Sequence, residues 1–190
     1  MSYKTYTTEA IVCGSRDSYT SDRSYLLFTK EAGMLWASAR SVREEKSKQR
    51  FALQDFALIR VSLVKGKSGW RIGSVESIKN AFLTADTQPA RAGVASVVKL
   101  LRRLVHGEEV VRAAYVDTRD VLQHIPRVDP EDVTYIVDHF TLRLLAELGY
   151  IASRAEYAAY LDSKDWLAAP APLPAMAQKA IADGLEASHL

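Results

Sequence analysis

The chain has 190 residues, 48% hydrophobic and 25% charged, with a formal net charge of +2. That balance is globular rather than disordered, and the length suits one ordinary domain or two small ones. The single cysteine, Cys13, excludes a disulfide framework or a multi-cysteine metal site within one chain. No run of about 18 apolar residues exists to span a membrane, and MSYKTYTTEA lacks the apolar core of a signal peptide, so a soluble, cytoplasmic protein is expected. The charge is unevenly spread. Residues 1–85 hold 14 Lys and Arg against 8 Asp and Glu, a net of +6, and residues 86–190 hold 11 against 15, a net of −4. A basic half joined to an acidic half points to a polyanionic partner for the first half.

The first 85 residues read as strands. TYTTEAIVCG (5–14) is rich in β-branched and aromatic residues, and SRDSYTSDRS (15–24) is a turn-forming cluster. YLLFTK (25–30) is a second strand. MLWASAR (34–40) is a third, with Leu35, Ala37 and Ala39 on one face and Met34, Trp36, Ser38 and Arg40 on the other. FALIRVSLVKG (56–66) alternates in the same way, placing Ala57, Ile59, Val61 and Leu63 inward. Gly66-Lys67-Ser68-Gly69 reads as a hairpin turn, and Gly73 in the last strand, WRIGSVESIKNAF (70–82), marks a bulge. Five strands with one long loop between the third and fourth fit a small closed barrel.

After Asp86 the period changes to 3.6. Val94, Val97, Val98, Leu101, Leu104 and Val105 make 88–106 an amphipathic helix, and a second helix is expected over 108–124. Asp129-Pro130-Glu131-Asp132 predicts a helix start, with Asp129 as N-cap and Pro130 at the first helical position. Its buried stripe is Val133, Ile136, Val137, Phe140, Leu144 and Leu148. Ser153-x-x-Glu156 predicts a capping box opening a short helix to Leu161. AAPAPLPA (168–175) is an extended linker, and the last dozen residues form at most a weak helix, or a disordered tail. The expected class is therefore α+β: a barrel over 1–85, a helical domain over 86–167, and a linker with its tail over 168–190.

Catalytic signals are absent from the motifs. Gly66-Lys67-Ser68 resembles the end of a phosphate-binding loop, but Val61 stands where that motif needs glycine and a strand follows where it needs a helix. Cys13 has no histidine near it in sequence. His106, His124, His139 and His189 are scattered, and adjacent Asp138 and His139 do not share a helical face.

The basic residues carry more. ARSVREEKSKQRFALQ (39–54) joins the third and fourth strands, and between Arg40 and Arg50 it holds five bases against two acids. A small barrel with such a loop suits single-stranded nucleic acid, with cations tracking phosphates and aromatic faces stacking on bases. Arg40, Arg43, Lys46, Lys48 and Arg50 lie in or beside the loop, and Lys65, Lys67 and Arg71 surround the next hairpin. Trp36 shares a strand face with Arg40; its two readings are a stacking platform and a core residue, and large aromatics are more often buried. Four phosphate contacts would give a salt slope of roughly −3 for a single strand.

These residues also resemble a known family. YTTEAIVCGSRDSYTSDRSYLLFTKEAGMLWASARSVREEKSK is similar to the N-terminal domain of the bacterial recombination mediator RecO, in Glu9–Val12, Asp22-Arg23, Leu27–Thr29, Gly33 and Trp36–Arg43. FALQDFALIRVSLVKGKSGWRIGSVE follows the family's next segment, and FTLRLLAELGY (140–150) resembles its helix "FELRLLALLGY". The resemblance implies an OB-fold followed by an α-helical domain. It implies binding of single- and double-stranded DNA, strand annealing, and partnership with RecR and with the tail of single-stranded DNA-binding protein. The protein expected is non-enzymatic and cytoplasmic, associated with the nucleoid. Matched by position, Arg40 and Arg43 take the family's DNA-contacting role best, with Lys46 and Lys48 matching less closely; Arg23, in the Asp-Arg motif, is a further candidate for DNA binding. Many members carry a four-cysteine zinc module after the "LGY" helix. Here LGYIASRAEYAAYLDS follows without cysteine, so neither metal nor cofactor is expected, and the chain is shorter than the family's usual length. Arg40-Ser41-Val42-Arg43 also lacks the glycine and one arginine of the family's "ARGARR". Three alternatives remain open on the sequence: an RNA-binding barrel, a protein-interaction module without nucleic acid, and an enzyme.

Overall fold

The computed structural model describes residues 5–18, 21–42, 44, 47, 49–162, 166–168 and 171–188. By internal contacts the chain divides into two compact units, Met1–Leu83 with Val105–Arg112, and Thr84–Leu104 with Ala113–Leu190.

The first unit is built on five strands: β1 (Thr5–Asp17), β2 (Arg23–Thr29), β3 (Gly33–Ala39), β4 (Ala57–Gly66) and β5 (Gly69–Asn80). They close into a barrel in the order β1-β2-β3-β5-β4. All neighbours are antiparallel except β3 and β5, which pair in parallel at Ala37 with Trp70 and at Ser38 with Arg71. The expected inward faces line the core: Leu35, Ala37 and Ala39 from β3, and Ala57, Ile59, Val61 and Leu63 from β4, against Ala10, Val12, Tyr25 and Leu27. The β4–β5 register shifts between Val61 and Leu63, so that β5 carries an extra residue where Gly73 was expected to mark a bulge. β1 runs on to Asp17, although its end lies in a segment read as a turn. The reason is tertiary: Ser15, Arg16 and Asp17 find ladder partners in Tyr25, Ser24 and Arg23, and cross-strand pairing outweighs the turn preference of Ser and Asp. The loop after β3 holds one short helix, α1 (Gln49–Ala52). After β5 comes α2 (Ala81–Thr84).

The second unit contains α3 (Gln88–Leu104), α4 (Arg112–His124, apart from its first residue), a 3-10 turn (Ile125–Arg127), α5 (Val133–Glu147), α6 (Ala158–Asp162) and α7 (Ala175–Ala187). The predicted stripe of α3 is buried throughout its helical length. Three expectations are corrected. α4 begins at Arg112 rather than 108. α5 begins at Val133 with Asp132 as N-cap, while Asp129–Asp132 forms a preceding turn closed by Asp132 N–H donating to Asp129 O at 3.0 Å. Asp followed by Pro suits the first two positions of a β-turn as well as a helix start, and here the turn wins. α6 starts at Ala158, well after Ser153.

The C-terminal segment is also more ordered than its composition implied. Leu173 is buried with Leu142, Tyr157 and Ala177, and His139 Nε2 lies 2.9 Å from Ala171 O. α7 buries Ala177 and Gly184, the latter close against Leu145 and Ile151. A helix face made of small residues carries little hydrophobicity of its own but permits close approach, so its docking is decided by α5 rather than by its own stripe.

Candidate nucleic-acid interface

The barrel register builds a row across four strands. Arg16 on β1 pairs with Ser24 on β2, Ser24 with Ser38 on β3, and Ser38 with Arg71 on β5. Paired residues share a face, so the two arginines flank two small hydroxyls, about 14 Å apart along the sheet. Arg40 follows β3 on the Ser38 face, and the β4–β5 turn brings Lys67 alongside. Arg40, Lys67 and Arg71 line one cleft of about 480 Å³ with Asp22, Ser24 and Ser38. Gly69, at φ +103°, lets the chain turn back beside Lys67. Three cations thus face one carboxylate across a floor of small polar side chains.

Trp36 is exposed rather than buried, at 38% of its free surface. It lies two residues before Ser38 on the same strand face. The Arg16 guanidinium sits 4.1 Å from its ring centroid, a cation–π contact. The indole is thus partly exposed near the basic cleft, with the Arg16 guanidinium over one face of its ring. Arg16 was hidden in the turn-like cluster 15–24; extending the alternation of β1 to Asp17 would have found it.

The remaining predicted residues are not gathered there. Arg23 and Arg50 line a separate hollow of about 440 Å³ with Tyr25 and Asp55. Arg23 Nε donates to Asp17 Oδ1 at 2.9 Å, which raises the guanidinium's pKa further. Burial pushes the Tyr25 phenol up, with Arg23 opposing. Beside Arg50, Phe51 is 64% exposed with the guanidinium 4.8 Å over its ring. Lys65 is held by Glu108, its Nζ 2.7 Å from Oε2, outside the cleft. Arg43, Lys46 and Lys48 lie outside the described residues, as does His189. Among the described residues no three His, Cys, Asp or Glu side chains gather as a metal ion would require, and no helix is long and apolar enough to cross a membrane.

Fold and site together define a small basic β-barrel, with an open cleft and a solvent-facing indole, joined to a helical unit. Residues 1–81 match the family model described as Recombination protein O N terminal. Over 149 residues, 77% of the chain, it is 30% identical to the DNA repair protein RecO of Pelotomaculum thermopropionicum, covering 56% of that protein. The RecO of Caldanaerobacter subterraneus subsp. tengcongensis is 26% identical over 145 residues, 76% of this chain and 58% of the relative. That of Desulfitobacterium hafniense is 35% identical over 98 residues, 50% and 36% respectively. The chain spans about half the length of the curated relatives it matches. The resemblance to RecO read from the sequence is shown by these matches, which for the longer alignments extend beyond the barrel.

Proposed function

We propose that the barrel is an OB-fold nucleic-acid-binding domain and that the protein acts as a DNA repair and recombination mediator. The observation that carries this reading is the convergence of Arg40, Lys67 and Arg71 in one cleft on a face that also exposes Trp36. The relatives, each named DNA repair protein RecO, support the same biological setting.

In this reading the guanidiniums and the ammonium take backbone phosphates of single-stranded DNA, and Trp36 stacks on a base without reading its identity. Asp22, whose Oδ1 accepts from Ser41 N–H at 2.9 Å, puts a negative charge in the cleft lining that would moderate affinity. The same charge attracts duplex DNA. Annealing follows from lowered repulsion between two strands held by weak, exchangeable contacts, and recombinase loading from presenting the strand. Neither needs a side chain to exchange a proton with substrate, so the reading is non-enzymatic. The loop cations Arg43, Lys46 and Lys48 would extend the phosphate track. The helical region after the barrel (86–167) would dock a RecR-like mediator and the tail of single-stranded DNA-binding protein, while Val105–Arg112 stays with the barrel (1–85).

Titration of labelled single-stranded DNA of about twenty nucleotides tests this. Three cleft contacts give a salt slope of about −2, so a fourfold rise in salt weakens binding about twentyfold. Arg40→Ala with Arg71→Ala should reduce the slope to about −0.7. Absence of binding at low salt, or tight binding indifferent to salt, overturns the reading; a clear preference for RNA reassigns the partner.

A further inference from the structure

Glu108 has no place in the cleft and lies far from the barrel strands in sequence, yet it makes two contacts on the β4–β5 hairpin. Its Oε2 pairs with Lys65 Nζ at 2.7 Å, and its Oε1 accepts from Trp70 Nε1 at 2.9 Å. Lys65 and Trp70 are cross-strand partners, with the ammonium 4.9 Å from the indole centroid. Tyr6 meets Trp70 edge-on at 5.7 Å and fixes the ring. The segment carrying Glu108 is tied down by its backbone. Met34 N–H donates to Gly107 O at 2.8 Å, and a Cβ on Gly33 would stand 2.3 Å from Glu109 O. Glu108 thus needs none of its side-chain contacts to hold its segment in place.

A cation and an indole N–H converging on two oxygens of one carboxylate form an anion site with its own occupant. A phosphodiester also presents two unesterified oxygens, and the hairpin turn just beyond this pair lines the basic cleft. We propose that Lys65 and Trp70 form a second phosphate site for single-stranded nucleic acid, which the Glu108 carboxylate fills in the free protein and yields when a strand binds. This rests on the nucleic-acid reading of the cleft. The exchange is feasible because the pair is exposed, and exposed ion pairs are weak and screened by salt. The two donors hold the Glu108 carboxyl below its ordinary pKa, Lys65 foremost, so it is ionised and competing at neutral pH.

Glu108→Gln keeps the shape and an acceptor for Trp70 while removing the charge. It should tighten binding of a thymidine oligonucleotide about three- to fivefold at low salt and steepen the salt slope by about 0.7. Adding Lys65→Met should abolish both gains. In the unmodified protein, the Trp70 indole N–H resonance should move as the oligonucleotide is added, a measurement independent of any variant's folding. An unchanged affinity and slope in Glu108→Gln, with the Trp70 resonance still, overturns the second site while leaving the cleft reading intact. Failure of the unmodified protein to bind the oligonucleotide at low salt overturns both.

Discussion

Replacing Trp36 with alanine separates stacking from charge. One base on one aromatic face is worth about 1–3 kcal/mol by alanine substitution. Here the Arg16 guanidinium already covers one face of the indole at 4.1 Å, and displacing an exposed cation–π contact costs about 0.5–1 kcal/mol. The difference leaves about 0.5–2 kcal/mol, roughly a 2- to 30-fold loss of affinity. The salt slope should not change, because the indole meets no phosphate. Trp36 is partly exposed, so the fold should tolerate the change with little loss of stability. Fluorescence anisotropy of a labelled oligonucleotide at three salt concentrations measures both quantities, with circular dichroism confirming the fold. Affinity within twofold of the unmodified protein, or a loss accompanied by a shallower slope, refutes the stacking role. The opposite signature belongs to Arg16→Ala, which should flatten the slope by about 0.7 if the displaced guanidinium finds a phosphate.

The helical unit offers two independent tests. Arg143 Nε donates to Asp117 Oδ2 at 2.6 Å, both side chains are 14% exposed, and Arg143 also donates to the carbonyls of Tyr160 and Leu161. Asp117→Ala removes the carboxylate that Arg143 Nε meets and should cost about 1.5–3 kcal/mol in chemical denaturation, whereas a paired apolar replacement of both residues should recover part of it. His139 is 4% exposed, with Nε2 2.9 Å from Ala171 O and no hydrogen-bond partner for Nδ1 among the described residues. Burial, chiefly, lowers its pKa, with the Ala171 bond and Asp138 opposing and Arg143 assisting. The unfolded chain therefore takes up the proton first. Stability is full above the ordinary histidine pKa of about 6.5 and falls as pH drops through the lower folded value. His139→Gln should flatten that acid limb in denaturation measured between about pH 7 and 5, and an identical limb in both proteins would show another group to be responsible.

Alternation in MLWASAR and FALIRVSLVKG assigned the residues that line the barrel core, because strand side chains alternate with period two, although Met34 and Leu58 on the opposite faces are buried as well. The same logic identified the stripe of α3. Arg40, Lys67 and Arg71 were legible as candidates from charge and position. Their convergence was not, since it depends on β3 meeting β5 in parallel, although 29 residues of chain separate the two strands. Arg16 was hidden because Ser and Asp around it favour turns in isolation, and only β2 supplies the ladder that holds it extended. α7 was underestimated because the small residues that let it dock carry little hydrophobicity.

Local chemistry, then, determined which residues are strand, helix or turn wherever the apolar period was strong, and which half of the chain is basic. Tertiary structure decided which charges remain available. It drew Lys65 and Trp70 to Glu108, set Arg23 on Asp17, and opened Trp36 to solvent under Arg16. Those outcomes depend on distances between segments remote in sequence, and electrostatic attraction between side chains acts through distance in space, which the order of residues does not contain.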